Sequence, residues 1–161
     1  GGCPNNCMKP DLNDVGIVGQ WVPQVKEELC KSCGLCEKEC PMGMVKVVDG
    51  KAAIDAQGCN HCGRCIRKCP FDAIETTTAG YLVYLGGRWG KRTAVGRPLN
   101  VIISSEEQVL SLVEKCLLLF KAYGQPKERF ADTVARLGFD KVQEMLLSDE
   151  LLERKTEILA Q

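Results

Sequence analysis

One short cysteine motif occurs twice in this 161-residue chain, and it restricts the possible folds more than any other feature. The first copy reads C-x2-C-x2-C-x3-C-P from Cys30 to Pro41, and the second repeats that spacing from Cys59 to Pro70. Cysteine thiolates are soft ligands that suit iron–sulfur and zinc sites. Zinc motifs also use C-x2-C pairs, but they seldom place three cysteines at two-residue spacing with a fourth three residues on. The repeat therefore favours iron–sulfur chemistry.

The repeat resembles the bacterial-type ferredoxin domain, which carries two 4Fe–4S clusters on two such cysteine runs. In that family the fourth cysteine of each run ligates the other cluster. By this resemblance, the ligands of the first cluster are Cys30, Cys33, Cys36 and Cys69. The ligands of the second cluster are Cys59, Cys62, Cys65 and Cys40. Gly34 and Gly63 stand at the same place in both loops, where a missing Cβ permits unusual backbone angles.

Composition narrows the setting in which the chain works. It holds 21 basic and 21 acidic residues, a balance that gives no indication of a nucleic-acid or anionic membrane partner. No apolar run approaches the roughly 20 residues that a membrane-spanning helix needs. Eleven cysteines, ten of them at metal-ligand spacing, favour a reducing, cytoplasmic location. The chain begins Gly1-Gly2-Cys3 without Met, so we expect it to be part of a longer protein.

Residues 1–23 are rich in Gly, Pro, Asn and Asp, which predicts loop and turn structure. Cys3 and Cys7 form a C-x3-C pair in this segment. Two cysteines cannot complete a cluster alone, so the residues by themselves also allow a disulfide or a reduced pair near a terminus.

The same segment resembles the second half of the cluster motif in sirohaem-dependent sulfite and nitrite reductases. The likeness rests on GCPNNC and on the D-x-G-I-V-G run that starts at Asp14. In that family an upstream C-x5-C pair joins the C-x3-C pair around a 4Fe–4S cluster, and the last cysteine bridges to the sirohaem iron. The resemblance implies that Cys3 ligates such a third cluster and that Cys7 carries the bridge. The C-x5-C half is absent from these residues, and we expect the rest of a longer reductase to supply it.

Residues 80–103 combine a β-prone run with the turn Gly86-Gly87 and a group of cations. The cations are Arg88, Lys91, Arg92 and Arg97. Composition alone predicts a solvated basic loop. The segment also resembles the G-Y-x-V-x-x-G-G-x-x-G-R run near the C-terminus of sirohaem reductases. That resemblance makes the four cations candidates to face the carboxylates of sirohaem, with which arginine forms bidentate bonds.

The chain is predicted to be helical from Ser104 onward, with Ser104 or Ser105 as the first cap. A stripe at helical spacing predicts a buried face made of Val109, Leu112, Val113, Cys116, Leu117 and Phe120. Within this stripe Cys116 is interpreted as a small hydrophobic residue. His61, which lies between Cys59 and Cys62 in the second cysteine run, is interpreted as a loop residue. Neither residue is predicted to be a ligand. The E-R-F-A-D-T-V-A-R-L-G run near the end resembles the terminal helices of the same reductases.

These patterns predict an α+β fold. Asp49-Gly50 between apolar alternations predicts a hairpin. We assign residues 1–23 to the second half of the sirohaem-cluster motif as a loop, and residues 24–79 to a 2×4Fe–4S ferredoxin domain. By the same resemblance we assign residues 80–161 to the strand-and-helix part of the reductase domain, a partial sirohaem-reductase α/β region with C-terminal helices.

The resemblances on both sides of the repeat imply the electron-transfer and C-terminal portion of a sirohaem reductase. Such an enzyme reduces sulfite to sulfide, or nitrite to ammonia, with six electrons from a donor protein or subunit. Its cofactors would be two 4Fe–4S clusters on this chain, with sirohaem and a third 4Fe–4S cluster in the full-length protein. The chain alone is expected to be inactive.

Two alternatives remain open. A standalone 2×4Fe–4S electron carrier explains the repeat equally well but leaves Cys3, Cys7 and the helical tail unexplained. A docking module would use the C-terminal helices to bind a partner subunit.

Overall fold

The computed structural model describes residues 1–5 and 7–160. Its strands are β1 (Val15–Val25), β2 (Val45–Val48), β3 (Lys51–Ile54), β4 (Ile74–Leu85) and β5 (Arg97–Pro98). Its helices are α1 (Leu35–Glu39), α2 (Arg64–Lys68), α3 (Glu106–Tyr123), α4 (Phe130–Leu137), α5 (Phe139–Leu147), α6 (Glu150–Glu153) and α7 (Lys155–Leu159). One sheet has the order β1-β4-β5, and β2 and β3 form a second sheet. This combination of antiparallel pairs and separate helices confirms the predicted α+β class.

The chain divides into two compact units. One unit, which we call the repeat unit because it contains the cysteine repeat, holds Gly19–Gly80 together with Gly2–Asn6. The other, which we call the helical unit, holds Gly1, Cys7–Val18 and Tyr81–Gln161. The main segment of the repeat unit thus begins at Gly19, before the expected boundary at residue 24.

The loop predicted for residues 1–23 is wrong for its second half, because residues 15–23 lie in strand β1. The Gly, Pro, Asn and Asp residues that suggested a loop are concentrated before Val15. The strand itself carries β-branched residues that suit an extended backbone, and Val18 is only 2% exposed. The turn residues at the start of the segment therefore hid a strand that follows them.

The repeat unit is built from two matching halves. In the first, β2 and β3 pair antiparallel from Val45–Ile54 to Val48–Lys51, and Asp49 and Gly50 turn the chain with φ of 49° and 75°. This is the predicted hairpin. Where β3 ends, the N–H of Asp55 donates to the carbonyl of Met44 at 2.9 Å.

The second half contains an equivalent hydrogen bond. Its donor lies 29 residues before Asp55, and its acceptor lies 29 residues after Met44. There the N–H of Lys26 donates to the carbonyl of Ala73 at 2.8 Å. The end of β1 therefore pairs with the start of β4 in the same way as the end of β3 pairs with the start of β2. The structural repeat is thus wider than the cysteine motifs and includes the strands that precede and follow them.

The helical unit has its own apolar core, to which α3 contributes one face. Ser105 caps this helix by accepting a hydrogen bond from the N–H of Gln108, as predicted. Leu112, Cys116 and Leu119 are buried, but Leu117 is 66% exposed, so its place in the predicted stripe is wrong. Spacings of three and four from Leu112 reach Cys116 and Leu119, whereas Leu117 is turned about 100° from Cys116 on the helix.

A buried charged group holds the end of α5 in the helical unit. The buried ammonium of Lys115 donates to the carbonyl of Ser148 at 2.6 Å and pairs with the Asp149 carboxylate at 2.8 Å.

None of the helices in the described part of the chain is long and apolar enough to span a bilayer.

The start of α4 is held by Asp14, which precedes β1. One carboxylate oxygen of Asp14 accepts from the N–H of Ala131 at 3.2 Å, and the other accepts from the Arg129 guanidinium at 2.6 Å. A carboxylate at a helix N-terminus satisfies backbone donors that have no partner within the helix. A residue distant in sequence thus serves as the cap of α4.

We predict that Asp14→Ala lowers the free energy of unfolding of the helical unit by about 1 kcal/mol, because the N–H of Ala131 and the Arg129 guanidinium lose their acceptor. Urea titration followed by far-UV circular dichroism measures this. The matched control is Asp140→Ala, whose carboxylate is 90% exposed and stands 3.6 Å from Arg97. Since exposed ion pairs contribute little, the control should change stability by less than about 0.5 kcal/mol. Equal losses in the two variants would contradict the capping role.

Candidate iron–sulfur sites

Four cysteines line one cavity in the repeat unit. They are Cys30, Cys33, Cys36 and Cys69. The first three come from the loop before α1 and from α1 itself, whereas the fourth is the residue at which α2 ends. The cavity wall also includes the apolar residues Val47, Ala52 and Ile74. Four thiol donors around one apolar cavity fit a 4Fe–4S cluster, which binds through four thiolates.

A second cavity repeats the arrangement with the two halves exchanged. Its cysteines are Cys40, Cys59, Cys62 and Cys65. Here three sulfurs come from the loop before α2 and from α2 itself, and Cys40 is the residue at which α1 ends. The structure thus brings the eight cysteines together in the two groups named from the ferredoxin resemblance. Whether they are ligands remains a prediction.

The two cysteine loops have the same backbone conformation. Ser32 and His61, at equivalent positions, have φ of 56° and 55°, and Gly34 and Gly63 follow with φ of 73° and 67°. Left-handed backbone is costly for residues with a Cβ, which explains glycine at one of the two positions. Gly63 has a second constraint, because a Cβ there would lie 2.9 Å from the Cβ of Trp21.

Backbone N–H groups point at sulfur in both halves. Met44 donates to Cys40 and Ala73 donates to Cys69, each at 3.3 Å. These two bonds occupy equivalent positions in the repeat. Hydrogen bonds to sulfur stabilise its negative charge and raise the reduction potential of a bound iron–sulfur cluster.

The first cysteine of each run also accepts a backbone hydrogen bond. Ala52 donates to Cys30 and His61 donates to Cys59, each at 3.4 Å. His61 therefore contributes its N–H to one sulfur, a role that its side chain gave no reason to expect. Its carbonyl also accepts from the N–H of Trp21 at 2.8 Å.

Burial and hydrogen bonding act on the thiols in opposite directions. Backbone donors at Ser32 and Ala52 lower the pKa of Cys30. For Cys40 burial acts to raise the pKa, but several backbone donors together lower it. Burial raises the pKa of Cys65 to about 11. The most buried thiols therefore need a compensating metal charge before they lose their protons, as is usual when thiolates bind metal.

No group of three or more His, Cys, Asp or Glu side chains in residues 1–5 and 7–160 is arranged around the position of a single metal ion. The two four-cysteine sets are defined by the residues that line each cavity. Cys116, in the helical unit, is buried, and burial raises the pKa of its thiol to about 12. Such a thiol behaves as a small hydrophobic residue.

The remaining two predicted ligands lie in different units. Cys3 is half-buried and belongs to the repeat unit, whereas Cys7 is exposed and belongs to the helical unit. Within the repeat unit, the side chain of Asn60 donates to the side-chain oxygen of Asn5 at 3.1 Å. The CPN turn that contains Cys3 is thus tied to the second cysteine loop. Neither the ligand role of Cys3 nor the bridging role of Cys7 is tested by this geometry.

Three of the four cations named for sirohaem line one cavity of the helical unit. They are Arg88, Arg92 and Arg97. Lys91 is exposed and is not among the residues that line it. The Arg88 guanidinium pairs with Asp132 at 2.5 Å, and its buried Nε has no hydrogen-bond partner within the described residues. The Arg97 guanidinium lies over the Phe139 ring, 4.2 Å from its centre.

Comparison with known proteins gives a consistent assignment. The family model described as the nitrite and sulphite reductase 4Fe–4S domain matches residues 1–155. Over 145 residues the chain is 36% identical to the coenzyme F420-dependent sulfite reductase of Methanocaldococcus jannaschii, a match that covers 89% of this chain and 23% of that protein. Over 54 residues it is 37% identical to a subunit of the anaerobic sulfite reductase of Salmonella typhimurium, a match that covers 32% of this chain and 16% of that protein. The chain therefore spans less than a quarter of either relative.

A solved structure shares the fold. Dissimilatory sulfite reductase I superposes with a TM-score of 0.62 at 23% identity, over 89% of this chain and 40% of that chain. At this identity the similarity concerns the fold alone.

We predict that Gly63→Ala lowers the temperature at which the protein loses its iron–sulfur absorbance more than Gly34→Ala does. Each change imposes left-handed backbone on an alanine, at a cost of about 1–2 kcal/mol. Only the new Cβ at residue 63 also meets Trp21, since nothing described lies within 4 Å of a Cβ at residue 34. Anaerobic thermal melts of the two variants make the comparison. Equal melting temperatures would show that Trp21 moves away at no cost.

Proposed function

Because the chain belongs to the nitrite and sulphite reductase 4Fe–4S domain family, we propose that it is the electron-transfer and C-terminal portion of a sirohaem reductase that converts sulfite to sulfide with six electrons. The observation that carries the proposal is the presence of two four-cysteine cavities in a chain whose family match extends over residues 1–155. Named relatives are sulfite reductases, which favours sulfite over nitrite as substrate.

In this proposal each cavity holds one 4Fe–4S cluster, and the two clusters supply one-electron redox chemistry when bound. The chain's own residues hold the sulfurs in place from both halves of the repeat. Backbone N–H groups of Met44 and Ala73 direct their dipoles at two of those sulfurs. Apolar side chains, of which Val45 and Ile74 are 2% and 3% exposed, keep water away. The protein thus provides binding and electrostatics, and the cofactors provide the chemistry.

The proposal gives Cys3 and Cys7 the roles of ligand and bridge at a third 4Fe–4S cluster beside sirohaem. Two further cysteines would come from outside these 161 residues. Support comes from the hydrogen bond of Asn60 to Asn5, which ties the CPN turn to the second cysteine loop.

The arginine-lined cavity suits the carboxylates of sirohaem in charge and in bonding geometry. Arg92 is exposed at this cavity, and Arg88 has a buried Nε that no described group uses. Arg97 is held over Phe139, and both residues line the same cavity. We assign these three arginines to sirohaem binding and exclude Lys91, which is exposed and does not line the cavity. The electron donor is a separate protein or subunit, and the thiol-rich chain is placed in the reducing cytoplasm.

A standalone electron carrier is the second candidate. It is favoured by one observation, which is that the repeat unit has its own core, made of Cys36, Val45, Ala52, Cys65 and Ile74. Nothing in that core requires sirohaem.

The crossed ligand sets predict different outcomes for two double variants that differ at one position. Cys30→Ala with Cys69→Ala removes two ligands from one proposed cluster, so about half of the wild-type iron and sulfide should remain. Cys30→Ala with Cys40→Ala removes one ligand from each cluster, so both should be lost or degraded. Anaerobic iron and acid-labile sulfide analysis, with electron paramagnetic resonance of the reduced proteins, measures both. The reverse result would mean that each run binds its own cluster.

We also predict that the 161-residue chain, reconstituted anaerobically with iron and sulfide, accepts electrons from dithionite but forms no sulfide from sulfite. The physical reason is that only two of the four cysteines of the sirohaem-linked cluster are present. Sulfide release is measured after incubation with sulfite and a reduced viologen dye. Steady turnover by this chain would contradict the proposal, and failure to accept any electrons would contradict the carrier alternative as well.

A further inference from the structure

The two cysteine loops match in sequence and backbone but differ in their exposure to solvent. Cys33 in the first loop is exposed, whereas Cys62, its equivalent in the second loop, is 8% exposed. The residues that precede them differ in the same way, since Ser32 is exposed and His61 is half-buried. The surroundings of the two loops therefore differ, although the loops themselves match.

The second loop is covered by neighbouring parts of the repeat unit. Strand β1 runs alongside it, with the N–H of Trp21 bonded to the carbonyl of His61 and Trp21 paired with Cys62 in a parallel bridge. The Trp21 side chain lies against Gly63. Asn60 at the start of this loop is bonded to Asn5. Cys62 is therefore covered by its own chain, and Trp21, which is 37% exposed, lies on the outside of this cover.

The first loop is contacted at the equivalent place by a glycine. The hydroxyl of Ser32 donates to the carbonyl of Gly50 in the β2–β3 turn, and Gly50, 29 residues after Trp21, has no side chain to cover the loop. A Cβ at Gly34 would meet nothing within 4 Å, and Leu35, next in sequence, is 41% exposed. Two further apolar residues, Leu29 before Cys30 and Phe71 after Cys69, are 40% and 43% exposed. We call Leu29, residues 31–35 and Phe71 the open loop surface. It includes the exposed Cys33, one of the four cysteines that line the first cavity, so this cavity lies near the protein surface, where another protein's redox group can approach.

We propose that the open loop surface is the docking site for a protein that carries a one-electron donor, and that Trp21 and Asn5 close the equivalent position in the second loop to such a partner. This inference rests on the proposed function of the two cavities. In the exchange the partner is oxidised by one electron and the site held by Cys30, Cys33, Cys36 and Cys69 is reduced by one, with no bond made or broken. The closed loop, tied to the CPN turn, is left for transfer within the reductase.

The charges beside the open loop surface bear on how the partner binds. Five exposed charged residues lie close in sequence to Cys30 or Cys69. Three are basic, Lys31, Arg67 and Lys68, and two are acidic, Glu27 and Glu28. Opposite charges in nearly equal number give little long-range steering. Exposed leucine and phenylalanine side chains instead favour apolar contact over a small area, as is typical of transient electron-transfer encounters. Docking should therefore depend only weakly on salt.

The test uses the reconstituted chain and a small fully reduced flavodoxin as the protein-sized donor. Leu29→Glu and Leu29→Arg place a charge of either sign in the open loop surface at a residue that does not line the first cavity, and Thr78→Glu places a charge at an exposed position of β4 as the matched control. Stopped-flow absorbance gives the rate of reduction by flavodoxin and, separately, by dithionite, which needs no docking surface. Hydrogen exchange with oxidised flavodoxin in excess shows where it binds, independently of electron transfer.

We expect both leucine variants to slow reduction by flavodoxin at least tenfold, with the dithionite rate and iron content unchanged. The control should keep the wild-type rate, and flavodoxin should protect residues 31–35 from exchange. Met42→Glu marks the competing edge at the second cavity, where Met42 is 44% exposed. Greater slowing by Met42→Glu, unchanged rates in the leucine variants, or protection confined to residues 60–64 would overturn the docking site. Loss of iron from the wild-type protein would instead count against the proposed function.

Discussion

Each cysteine cavity depends on both halves of the repeat, because three of its sulfurs come from one half and the fourth from the other. The fourth cysteines, Cys40 and Cys69, stand where α1 and α2 end. Neither half can complete its sulfur set alone, so binding at either cavity would fix the position of both helices. The repeat unit has few large buried side chains, and we expect cofactor binding to contribute much of its stability, as in other small metal-binding domains.

The covalent pattern of the repeat made one part of the structure readable from sequence. Cysteine spacing, the paired glycines and the Asp49-Gly50 turn are local features, and the hairpin they predicted is present with the predicted turn. Strand β1 was missed because the turn residues before Val15 dominated the composition of its segment. This strand is recognised only from its pairing with a segment distant in sequence, as in the hydrogen bond between Lys26 and Ala73 where β1 ends.

Other features could not be read because they depend on contacts distant in sequence. The capping of α4 by Asp14 joins residues more than a hundred positions apart. Four cations looked alike in the sequence, yet the fold pairs Arg88 with Asp132, stacks Arg97 on Phe139 and leaves Lys91 outside the cavity. The unequal exposure of two nearly identical loops is of the same kind, since it arises from Trp21 and not from the loops.

We propose that this chain carries two 4Fe–4S clusters as one part of a sirohaem enzyme. The most direct measurement is the absorption spectrum and iron content of the native protein, purified anaerobically from its source at whatever length it occurs. We expect the broad absorbance of iron–sulfur clusters together with the bands of sirohaem. Iron–sulfur absorbance without sirohaem would contradict the reductase assignment and leave an electron carrier, for which Cys3, Cys7 and the arginine-lined cavity would need another explanation.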